Sequence, residues 1–413
     1  MPTADVAVVG GGPGGAATAI VLARAGRDVI LVDKAGFPRD KCCGDGLTTS
    51  ALRGLDALGL DPRDVASWRP VGEVWLRSPS GRGLAYPLPS DNGAFAAVAR
   101  RTDLDAALLD VARAEGVKVF DGHGLLGMGP TLDDQTIRLE VDGLGTVCAH
   151  YAIGADGMWS PLRKALGATD GPGYLGEWHA FRQYLTGVEG SAATRMWVWF
   201  EPDLLPGYAW SFPLPHGTAN VGFGIRRQPG RPTRAMKEQW VDLLSRPHIR
   251  EALAGGVPEA PHKAWPIPAR VQHTSLSAAS GRALFVGDAA RATDPMTGEG
   301  IGQALDTGML AAGAILAGGP TRPGLAALSY HRAVRRGLAV DNRLSEALSG
   351  ALRHRKGARA AIRATGLTPW TRRSFARWLF EDYPRALAGT PYRWRRGMLS
   401  SPGAFVGRRT GHR

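Results

Sequence analysis

The most constraining feature of the sequence is a strand–turn–helix–strand pattern within its first 34 residues. The run "ADVAVVG" (4–10) predicts a buried strand, because apolar residues follow one another without alternation. A glycine turn then leads into a helix of small residues (11–26), and "RDVILVDK" (27–34) predicts a second buried strand. Such a βαβ unit of about 30 residues requires parallel strands with a helix packed on the sheet, so an α/β fold is expected.

Glycines in the turn of this unit give the pattern G-x-G-x-x-G. The first glycine permits the tight turn, the second lets the backbone approach a pyrophosphate, and the third allows close helix–strand packing. The N-terminus of the helix favours phosphate groups, and an aspartate at the end of the second strand is placed to accept hydrogen bonds from ribose hydroxyls. The pattern predicts a dinucleotide site formed by Gly10, Gly12, Pro13, Gly15, Asp33 and Lys34.

Two later segments also bring an aspartate to the end of a predicted strand: "GADG" (154–157) and "GDAARATDPMTGEGIGQAL" (287–305). With the first fingerprint, they resemble the three motifs of FAD enzymes of the aromatic-hydroxylase (p-hydroxybenzoate hydroxylase-like) superfamily, and "RTDLD" (101–105) resembles its arginine near the FAD phosphates. One aspartate can hold a ribityl hydroxyl, and the amides of 297–301 can direct a helix N-terminus at the flavin N1/C2 carbonyl. The implied FAD-binding residues are Arg101, Asp156, Gly157, Gly287, Asp288, Pro295, Gly298, Gly300 and Ile301.

Three blocks narrow this resemblance to the geranylgeranyl reductase family. "FPRDKCCGDGL" (37–47) resembles the family loop P-R-x-K-P-C-G-x-G, "GYAWSFP" (207–213) matches its Y-x-W-x-F-P substrate-cavity motif, and "DPMTGEGI" (294–301) resembles its P-x-x-G-E-G-I motif. Members of the family reduce isolated C=C bonds in prenyl chains of lipids, quinones and chlorophyll precursors. The resemblance implies that Cys43 and Gly44 contact FAD. Cys42 stands where the family commonly has proline, and this departure leaves open a divergent substrate, such as a polyketide or other secondary metabolite.

The adjacent thiols of Cys42 and Cys43 are unsuited to zinc, because neighbouring thiolates are poorly spaced for one tetrahedral ion and no C-x-x-C pattern occurs. A bond between neighbours is strained, and no metal site is expected. Two interpretations stay open: the thiols pack a loop over the flavin, or Cys43 lies beside the isoalloxazine ring, where it touches substrate or relays a proton.

The implied reaction needs a proton source. An isolated alkene accepts hydride poorly, so a proton adds first and the resulting tertiary cation takes hydride from N5 of reduced flavin; aromatic faces can stabilise that cation. The sequence leaves the candidate acids Cys43, Asp45, Tyr208 and Glu299 unranked, and Cys43→Ala is expected to keep FAD and lose most alkene reduction. The expected substrate-contacting residues are Cys42, Tyr208, Trp210, Phe212 and Pro213.

Two alternative functions, monooxygenase and cyclase, would use the same FAD site. A monooxygenase would add oxygen to an aromatic or polyketide substrate, and a halogenase is its special case, although the W-x-W-x-I-P signature has only a partial counterpart in "WVWFEP" (197–202). A non-redox cyclase would use FAD as a scaffold. Because one dinucleotide fingerprint is evident, NAD(P)H would bind transiently, or an external redox partner would supply electrons.

The expected architecture is a Rossmann-like FAD-binding domain, an antiparallel-sheet substrate domain and a helical C-terminal extension. The FAD-binding domain is assembled from 1–70, 97–172 and 275–330. The substrate domain comprises 71–96 and 173–274, and 331–413 forms the basic helical extension. The many aromatic residues of the substrate domain favour a lipophilic small-molecule substrate.

Charge is concentrated in the C-terminal extension. Of the net +13, residues 331–413 contribute +15, with 19 Lys plus Arg against 4 Asp plus Glu. This extension, with its aromatic residues, either contacts anionic lipid headgroups or an acidic partner, or is a solvated helical surface. No nucleic-acid motif accompanies the charge, so no nucleic-acid partner is expected. Without a signal peptide or a sufficiently long apolar run, and with three cysteines, the chain is expected in the cytoplasm, with peripheral contact at the inner face of the membrane.

Overall fold

The computed structural model describes residues 3–130, 135–169, 171, 173–227 and 235–407. Residues 1, 172 and 413, which bound predicted domains, lie outside these ranges. The strands are β1 Thr3–Val9, β2 Val29–Asp33, β3 Gly46–Leu47, β4 Arg69–Pro70, β5 Glu73–Arg77, β6 Gly83–Pro87, β7 Ala97–Val98, β8 Lys118–Asp121, β9 Leu125–Met128, β10 Ile137–Val141, β11 Gly145–Gly154, β12 Trp178–Thr186, β13 Met196–Trp199, β14 Tyr208–Pro213, β15 Ala219–Arg226, β16 Val257–Pro258, β17 Lys263–Ile267, β18 Ser277–Ala278 and β19 Ala283–Phe285. The helices are α1 Pro13–Arg24, α2 Thr49–Ala57, α3 Arg101–Ala114, α4 Pro161–Ala165, α5 Met236–Ser245, α6 Pro247–Ala252, α7 Ile301–Gly318, α8 Pro323–Arg336, α9 Leu338–Leu352, α10 Arg355–Thr365 and α11 Pro369–Leu379.

The first sheet has parallel strands at its centre. Its order is β18–β19–β11–β1–β2–β8, and β19, β11, β1, β2 and β8 run parallel. Strands β10 and β9 extend it antiparallel from β11. The βαβ unit at the N-terminus is therefore confirmed, with both of its strands inside the sheet.

Small residues let α7 pack closely against α1 beside this sheet. A Cβ built on Gly308 of α7 would lie 2.3 Å from the carbonyl oxygen of Gly14, a distance that no side chain tolerates. Thr18 of α1 donates one hydroxyl to the carbonyl oxygens of both Gly14 (2.8 Å) and Gly308 (3.1 Å). This contact fixes the start of α7 beside the start of α1, and the start of each helix carries a predicted FAD motif.

Among the described residues, α7 is the one helix with the length and apolar character of a membrane span. Most of that span is buried inside the protein, where it packs against α1, α2 and α8. Core helices commonly have these same properties.

The second sheet is mainly antiparallel. Its order is β16–β12–β15–β14–β13–β5–β6, with β17 also paired to β12, and the β13–β5 pair is parallel. A small sheet, β3–β7–β4, lies at the end of the loop that contains the two adjacent cysteines. Helix α11 packs against β6 of this sheet, and α10 contacts α9 and α11. The predicted fold class, an α/β nucleotide-binding part with an antiparallel sheet and a helical C-terminal extension, is confirmed, whereas the proposed domain boundaries stay predictions.

One predicted strand is shorter than expected. The run 282–290 forms β19 only over Ala283–Phe285, and a 3₁₀ turn over Gly287–Ala290 follows. Gly287 adopts a left-handed φ of +56° there. Asp288 consequently lies in the turn beyond the strand rather than at the strand end itself.

Candidate active site

Three predicted motifs meet at one edge of the parallel sheet. Strands β1, β11 and β19 are neighbours and end at Val9, Gly154 and Phe285, which are paired in register. Since the carboxyl ends of parallel strands lie at the same edge, the segments after them converge there. The sequence alone predicted this convergence from three segments that are far apart in the chain.

The glycine turn has the geometry that a dinucleotide phosphate site needs. Gly10 has φ +108°, and a Cβ on Gly15 would lie 1.9 Å from the Gly10 carbonyl oxygen. A Cβ on Gly12 would instead point into the space between two guanidinium groups, 3.6 Å from Arg39 Nη2 and 3.8 Å from Arg101 Nη2. The turn therefore leaves an open cradle at Gly12 and is closely packed at Gly15.

Two arginines give this cradle a positive charge. Arg101 is buried and donates two hydrogen bonds of 2.7 Å to the carboxylate of Asp105, and Arg39 Nη1 lies 3.2 Å from the same carboxylate. Arg39 Nη2 also lies 4.0 Å from Asp33 Oδ2, so the two guanidinium groups are paired with two carboxylates. Both groups still face the Gly12 backbone, where guanidinium N–H groups suit a pyrophosphate.

Two of the three predicted aspartates organise backbone at the site. Asp33 accepts hydrogen bonds from the amides of Gly11 (2.7 Å) and Ala35 (2.9 Å), which fixes the turn. Asp156 accepts from the Ser160 hydroxyl (2.6 Å) and the Leu162 amide (2.8 Å), so it caps α4, and burial raises its pKa to about 6. These hydrogen bonds give both carboxylates a structural role in addition to the predicted one.

Asp288 lies at the wall of the cavity described next. The hydroxyl of Thr293 is 3.4 Å from its Oδ1. Its carboxylate is the most open of the three to a ligand hydroxyl group.

One cavity of about 1470 Å³ extends from the glycine turn to an apolar chamber. Its chamber end is lined by the second sheet and by the C-terminal helices. The chamber-lining residues include Val74, Leu76, Met196, Val198, Phe200, Tyr208, Trp210, Phe212, Leu348, Leu352, Ala358, Ala361, Ile362, Phe375, Trp378, Leu379 and Phe380. The volume exceeds the roughly 300–1,000 Å³ that is usual for a small-molecule pocket, as expected for a site that holds both a cofactor and a long substrate.

The Y-x-W-x-F residues lie on one face of β14, because alternate residues of a strand share a face. Trp210 pairs with Gly222 of β15, where a Cβ would lie 2.4 Å from the indole ring, so glycine at this position makes room for the tryptophan. The ring centroids of Trp210 lie 6.1 Å from Tyr208 and 6.2 Å from Phe212. The three rings form a continuous aromatic wall.

The hydroxyl group of Tyr208 connects this aromatic wall to the third predicted FAD motif, residues 287–305. Its hydroxyl donates to the Thr297 carbonyl oxygen, and burial raises its pKa well above the ordinary value. The Tyr208 hydroxyl group is therefore a weak acid, and its proton is already used in the hydrogen bond to Thr297.

The two adjacent cysteines are free thiols at the cavity wall. Burial raises the pKa of Cys42 to about 11 and that of Cys43 to about 12, so both are protonated at neutral pH. Cys43 Sγ accepts the amide of Asp45 at 3.3 Å, and Cys42 Sγ lies 3.8 Å from the Lys263 carbonyl oxygen. Neither thiol has the anionic character that a nucleophile or metal ligand requires.

Asp45 is fully buried and unusually placed. It adopts a left-handed φ of +64°, and its Oδ2 accepts hydrogen bonds from Tyr184 Oη (2.5 Å) and Asn220 Nδ2 (2.7 Å). Its Oδ1 has no hydrogen-bond partner among the described residues. Burial raises the pKa of Asp45 to about 6, although hydrogen bonds from Tyr184 and Asn220 oppose the rise.

Asn220 ties this carboxyl to the aromatic wall. Its amide nitrogen also donates to the Cys43 carbonyl oxygen (2.8 Å), and its oxygen accepts from Trp210 Nε1 (3.1 Å). The loop over the cavity and strand β14 are thus held in one hydrogen-bonded network.

Glu299 lies at the cavity wall just before α7 and accepts the Gly302 amide at 2.7 Å. Burial and the nearby carboxyl group of Glu381 both raise its pKa, to about 8. Burial likewise raises the pKa of Glu381, which accepts from Gln303 and Arg385. Two neighbouring buried carboxyl groups do not both ionise readily, so this pair retains a proton near neutral pH.

Most predicted site residues line the cavity, but three do not. Gly15 lies behind the turn, Pro295 is held in a loop by Ser349, and Pro213 lies at the far end of β14. The cavity lining does include Gly10, Gly12, Pro13, Asp33, Lys34, Cys42, Cys43, Gly44, Asp45, Arg101, Asp156, Gly157, Tyr208, Trp210, Phe212, Gly287, Asp288, Gly298, Glu299, Gly300 and Ile301.

The structure adds residues that the sequence did not single out. Arg39 and Lys41 come from the quoted 37–47 loop, and Lys41 Nζ lies 4.0 Å from the ring centroid of Trp265. Tyr184 and Asn220 reach Asp45 across more than a hundred residues. The loop arginine carried a local signal, namely its place in the P-R-x-K pattern, whereas Tyr184 and Asn220 carried none.

The residues present fit FAD. The open cradle at Gly12 and the two guanidinium groups beside it suit the pyrophosphate. Asp288 can bind the ribityl chain, and the start of α7 suits an electron-rich edge of the flavin ring. In the part of the chain that the structure describes, no group of three or more His, Cys, Asp or Glu side chains forms a metal site.

Comparison with known proteins assigns the family. A family model described as an FAD-binding domain matches residues 3–317. Menaquinone reductase of Mycolicibacterium smegmatis is 34% identical over 362 residues, which cover 83% of this chain and 84% of that protein. Digeranylgeranylglycerophospholipid reductase of Methanothrix thermoacetophila is 30% identical over 316 residues, which cover 74% of this chain and 76% of that protein.

Among solved structures, a geranylgeranyl bacteriochlorophyll reductase-like protein of Thermoplasma acidophilum superposes with a TM-score of 0.71 at 21% identity. The superposition covers 88% of this chain and 96% of that one, and it shows a shared fold. Together with the matched motifs, these relatives confirm the expected family and cofactor. The chain belongs to the geranylgeranyl reductase family of FAD-dependent oxidoreductases.

Proposed function

We propose that this enzyme reduces isolated C=C bonds in the prenyl chain of a lipophilic substrate such as a menaquinone. The observation that carries the proposal is the single cavity that joins the nucleotide cradle to an apolar chamber walled by Tyr208, Trp210 and Phe212. The chamber offers the substrate aromatic and aliphatic side chains with few charges. The menaquinone and digeranylgeranylglycerophospholipid reductases named above support the substrate class.

Asp45 is the proposed proton donor. General acids work best when their pKa lies near the working pH, and the pKa of Asp45 is raised to about 6. The thiol of Cys43, with a pKa of about 12, and the phenol of Tyr208 are much weaker acids. Glu299, whose pKa is raised to about 8, meets the same criterion and accepts one hydrogen bond, from the Gly302 amide, so it is the second candidate donor.

The hydrogen bonds of Asp45 support this role. Because Tyr184 and Asn220 both donate to Oδ2, a proton on the carboxyl group is best placed on Oδ1. Protonation of the alkene breaks the O–H bond, forms a C–H bond and leaves a tertiary cation. The π faces of Trp210 and Phe212 stabilise that cation. Bound FAD, once reduced, supplies the hydride that completes the reduction.

Two further parts of the proposal concern the partners of the enzyme. Electrons reach the flavin from NAD(P)H that binds transiently or from a small redox protein; the single dinucleotide fingerprint supports this. The C-terminal extension contacts an anionic membrane peripherally, which gives access to a lipid-soluble substrate.

The surface of α10 supports membrane contact. Lys356, Arg359 and Arg363 are exposed and point away from the side of α10 that carries Ala358 and Ile362, which line the chamber. Leu367 and Trp370, just beyond the helix, are 69% and 75% exposed. One helix therefore separates the chamber from a basic surface with exposed apolar residues. Phe375, Trp378 and Phe380, three of the aromatic residues for which lipid contact was one alternative, line the chamber.

The decisive experiment is a product mass under anaerobic turnover. The holoenzyme is reduced with dithionite, incubated with a polyprenyl menaquinone and then exposed to air before extraction. Air returns any quinol to quinone, so a persistent gain of two hydrogens identifies reduction of the prenyl chain. Asp45→Asn should abolish this gain, whereas exposed Asp91→Asn should not.

Other masses would identify the rival functions. A gain of one oxygen in aerobic turnover with NAD(P)H would indicate a monooxygenase, and a rearranged product of unchanged mass would indicate a cyclase. Either result would overturn the proposal while leaving the family assignment intact.

A further inference from the structure

The loop that precedes α7, residues 293–299, is held by parts of the chain outside the matched FAD-binding domain. This 293–299 loop contributes Thr293, Met296 and Thr297 to the cavity wall. Asn342 and Ser349 of α9 donate to the carbonyl oxygens of Thr293 (3.3 Å) and Pro295 (3.1 Å). The C-terminal extension therefore contacts the loop backbone directly.

Asp294 is the centre of the 293–299 loop. Its Oδ1 accepts from the amides of Met296 (3.0 Å) and Thr297 (2.8 Å), and its Oδ2 accepts from the Ser345 hydroxyl of α9 (2.6 Å). The residue is 1% exposed. A buried carboxylate with these partners determines the path of the loop into α7.

Arg385 neutralises this carboxylate from the segment after α11. Its Nε lies 3.2 Å from Asp294 Oδ2, and its Nη2 donates to Glu381 (2.9 Å) and to the Thr297 hydroxyl (3.2 Å). Burial alone would raise the pKa of Asp294, but the Arg385 charge and the hydrogen bonds from Ser345 and Thr297 hold it below its ordinary value. The loop thus keeps a charged, fully buried anchor.

We propose that Arg385 is a positioning residue of the FAD site: it acts through Asp294 and Thr297 to place the 293–299 loop and the start of α7 against the flavin. The inference concerns cofactor binding and goes beyond the proposed alkene reduction. It assigns part of the flavin site to the C-terminal extension, more than sixty residues beyond the matched domain.

The test compares Arg385→Gln with Arg385→Lys and with the exposed α11 control Arg373→Gln. We expect Arg385→Gln to weaken FAD binding about tenfold or more, because a charge-assisted interaction is lost and the loop relaxes. Bound FAD should also show a lower reduction potential, since the start of α7 no longer faces the reduced ring. Arg385→Lys should recover part of both effects, and Arg373→Gln should match the wild type.

A milder variant covers the case in which Arg385→Gln does not fold. Ser345→Ala removes one hydrogen bond to Asp294 and should weaken FAD binding a few-fold, about what one such bond contributes, with unchanged circular dichroism. Wild-type FAD affinity and reduction potential in Ser345→Ala, and in Arg385→Gln where it folds, would overturn the proposal. None of these measurements requires substrate, so they stand apart from the test of alkene reduction.

Discussion

Replacing Asp45 with asparagine separates the chemistry of one buried carboxyl group from its effect on stability. Asparagine retains an oxygen that accepts from Tyr184 and Asn220, so the hydrogen-bonded network can persist. The substitution replaces Oδ1 with an NH2 group, which has a similar size and does not titrate. We therefore expect Asp45→Asn to bind FAD normally and to lose alkene reduction.

The stability effect follows from the raised pKa. Burial moves the pKa of Asp45 from 3.8 to about 6, so the folded protein holds this proton more tightly than the unfolded chain. Its contribution is neutral below about pH 4 and becomes unfavourable as the pH rises toward 6. At about 1.4 kcal/mol per pKa unit, the penalty reaches about 3 kcal/mol above pH 6 and is about half of that near pH 5.

Urea unfolding of the holoenzyme at a fixed excess of FAD measures this penalty. Asp45→Asn should be more stable than the wild type, and its advantage should grow by about 1 kcal/mol or more between about pH 5 and about pH 8. Exposed Asp91→Asn is the matched control and should show no such change. An advantage that is the same at both pH values would refute the assignment of the raised pKa to Asp45.

Three further predictions concern the chamber, the thiol and the outer surface. Ala361→Trp should block turnover of long substrates without loss of FAD, because Ala361 lines the chamber. The control Ala360→Trp, at the adjacent exposed residue, should leave turnover unchanged. Equal turnover in the two variants would contradict the position of the chamber. Cys43→Ala should retain FAD, and the Cys43 thiol should resist alkylation at neutral pH because burial raises its pKa to about 12; retention of full alkene reduction in this variant would exclude a catalytic role for the thiol. Replacing Lys356, Arg359 and Arg363 together with glutamine should reduce sedimentation with phosphatidylglycerol vesicles at low salt, with phosphatidylcholine vesicles as the control; undiminished sedimentation would place membrane contact elsewhere.

The nucleotide end of the site could be predicted because its determinants are local. Gly10, Gly12 and Gly15 lie within one turn, and each later motif directly follows its own strand. Parallel pairing then brings those strand ends together without further information. The alternation of Tyr208, Trp210 and Phe212 is local information of the same kind, because alternate residues of a strand share a face.

The polar network around Asp45 could not be predicted, because it depends on strand register. Asn220 reaches Asp45 only since β15 pairs with β14 so that Gly222 lies opposite Trp210. A shift of one residue would turn Asn220 to the other face of the sheet. The role of Arg385 is harder still to predict, since its position depends on how four consecutive helices, α8 to α11, pack after the matched domain ends.

The outer wall of the chamber has a consequence for how substrate fit can change among proteins of this family. Helix α10 forms that wall with small side chains, and it belongs to a segment that the FAD-binding family model does not cover. Exchanging this segment between relatives would change which prenyl chains fit the chamber. The FAD site would be conserved if the exchanged segment includes Ser345 and Arg385. One segment, residues 338–385, thus contributes both to the chamber wall and to the contacts that hold the 293–299 loop, so a change made there for substrate fit also bears on the loop.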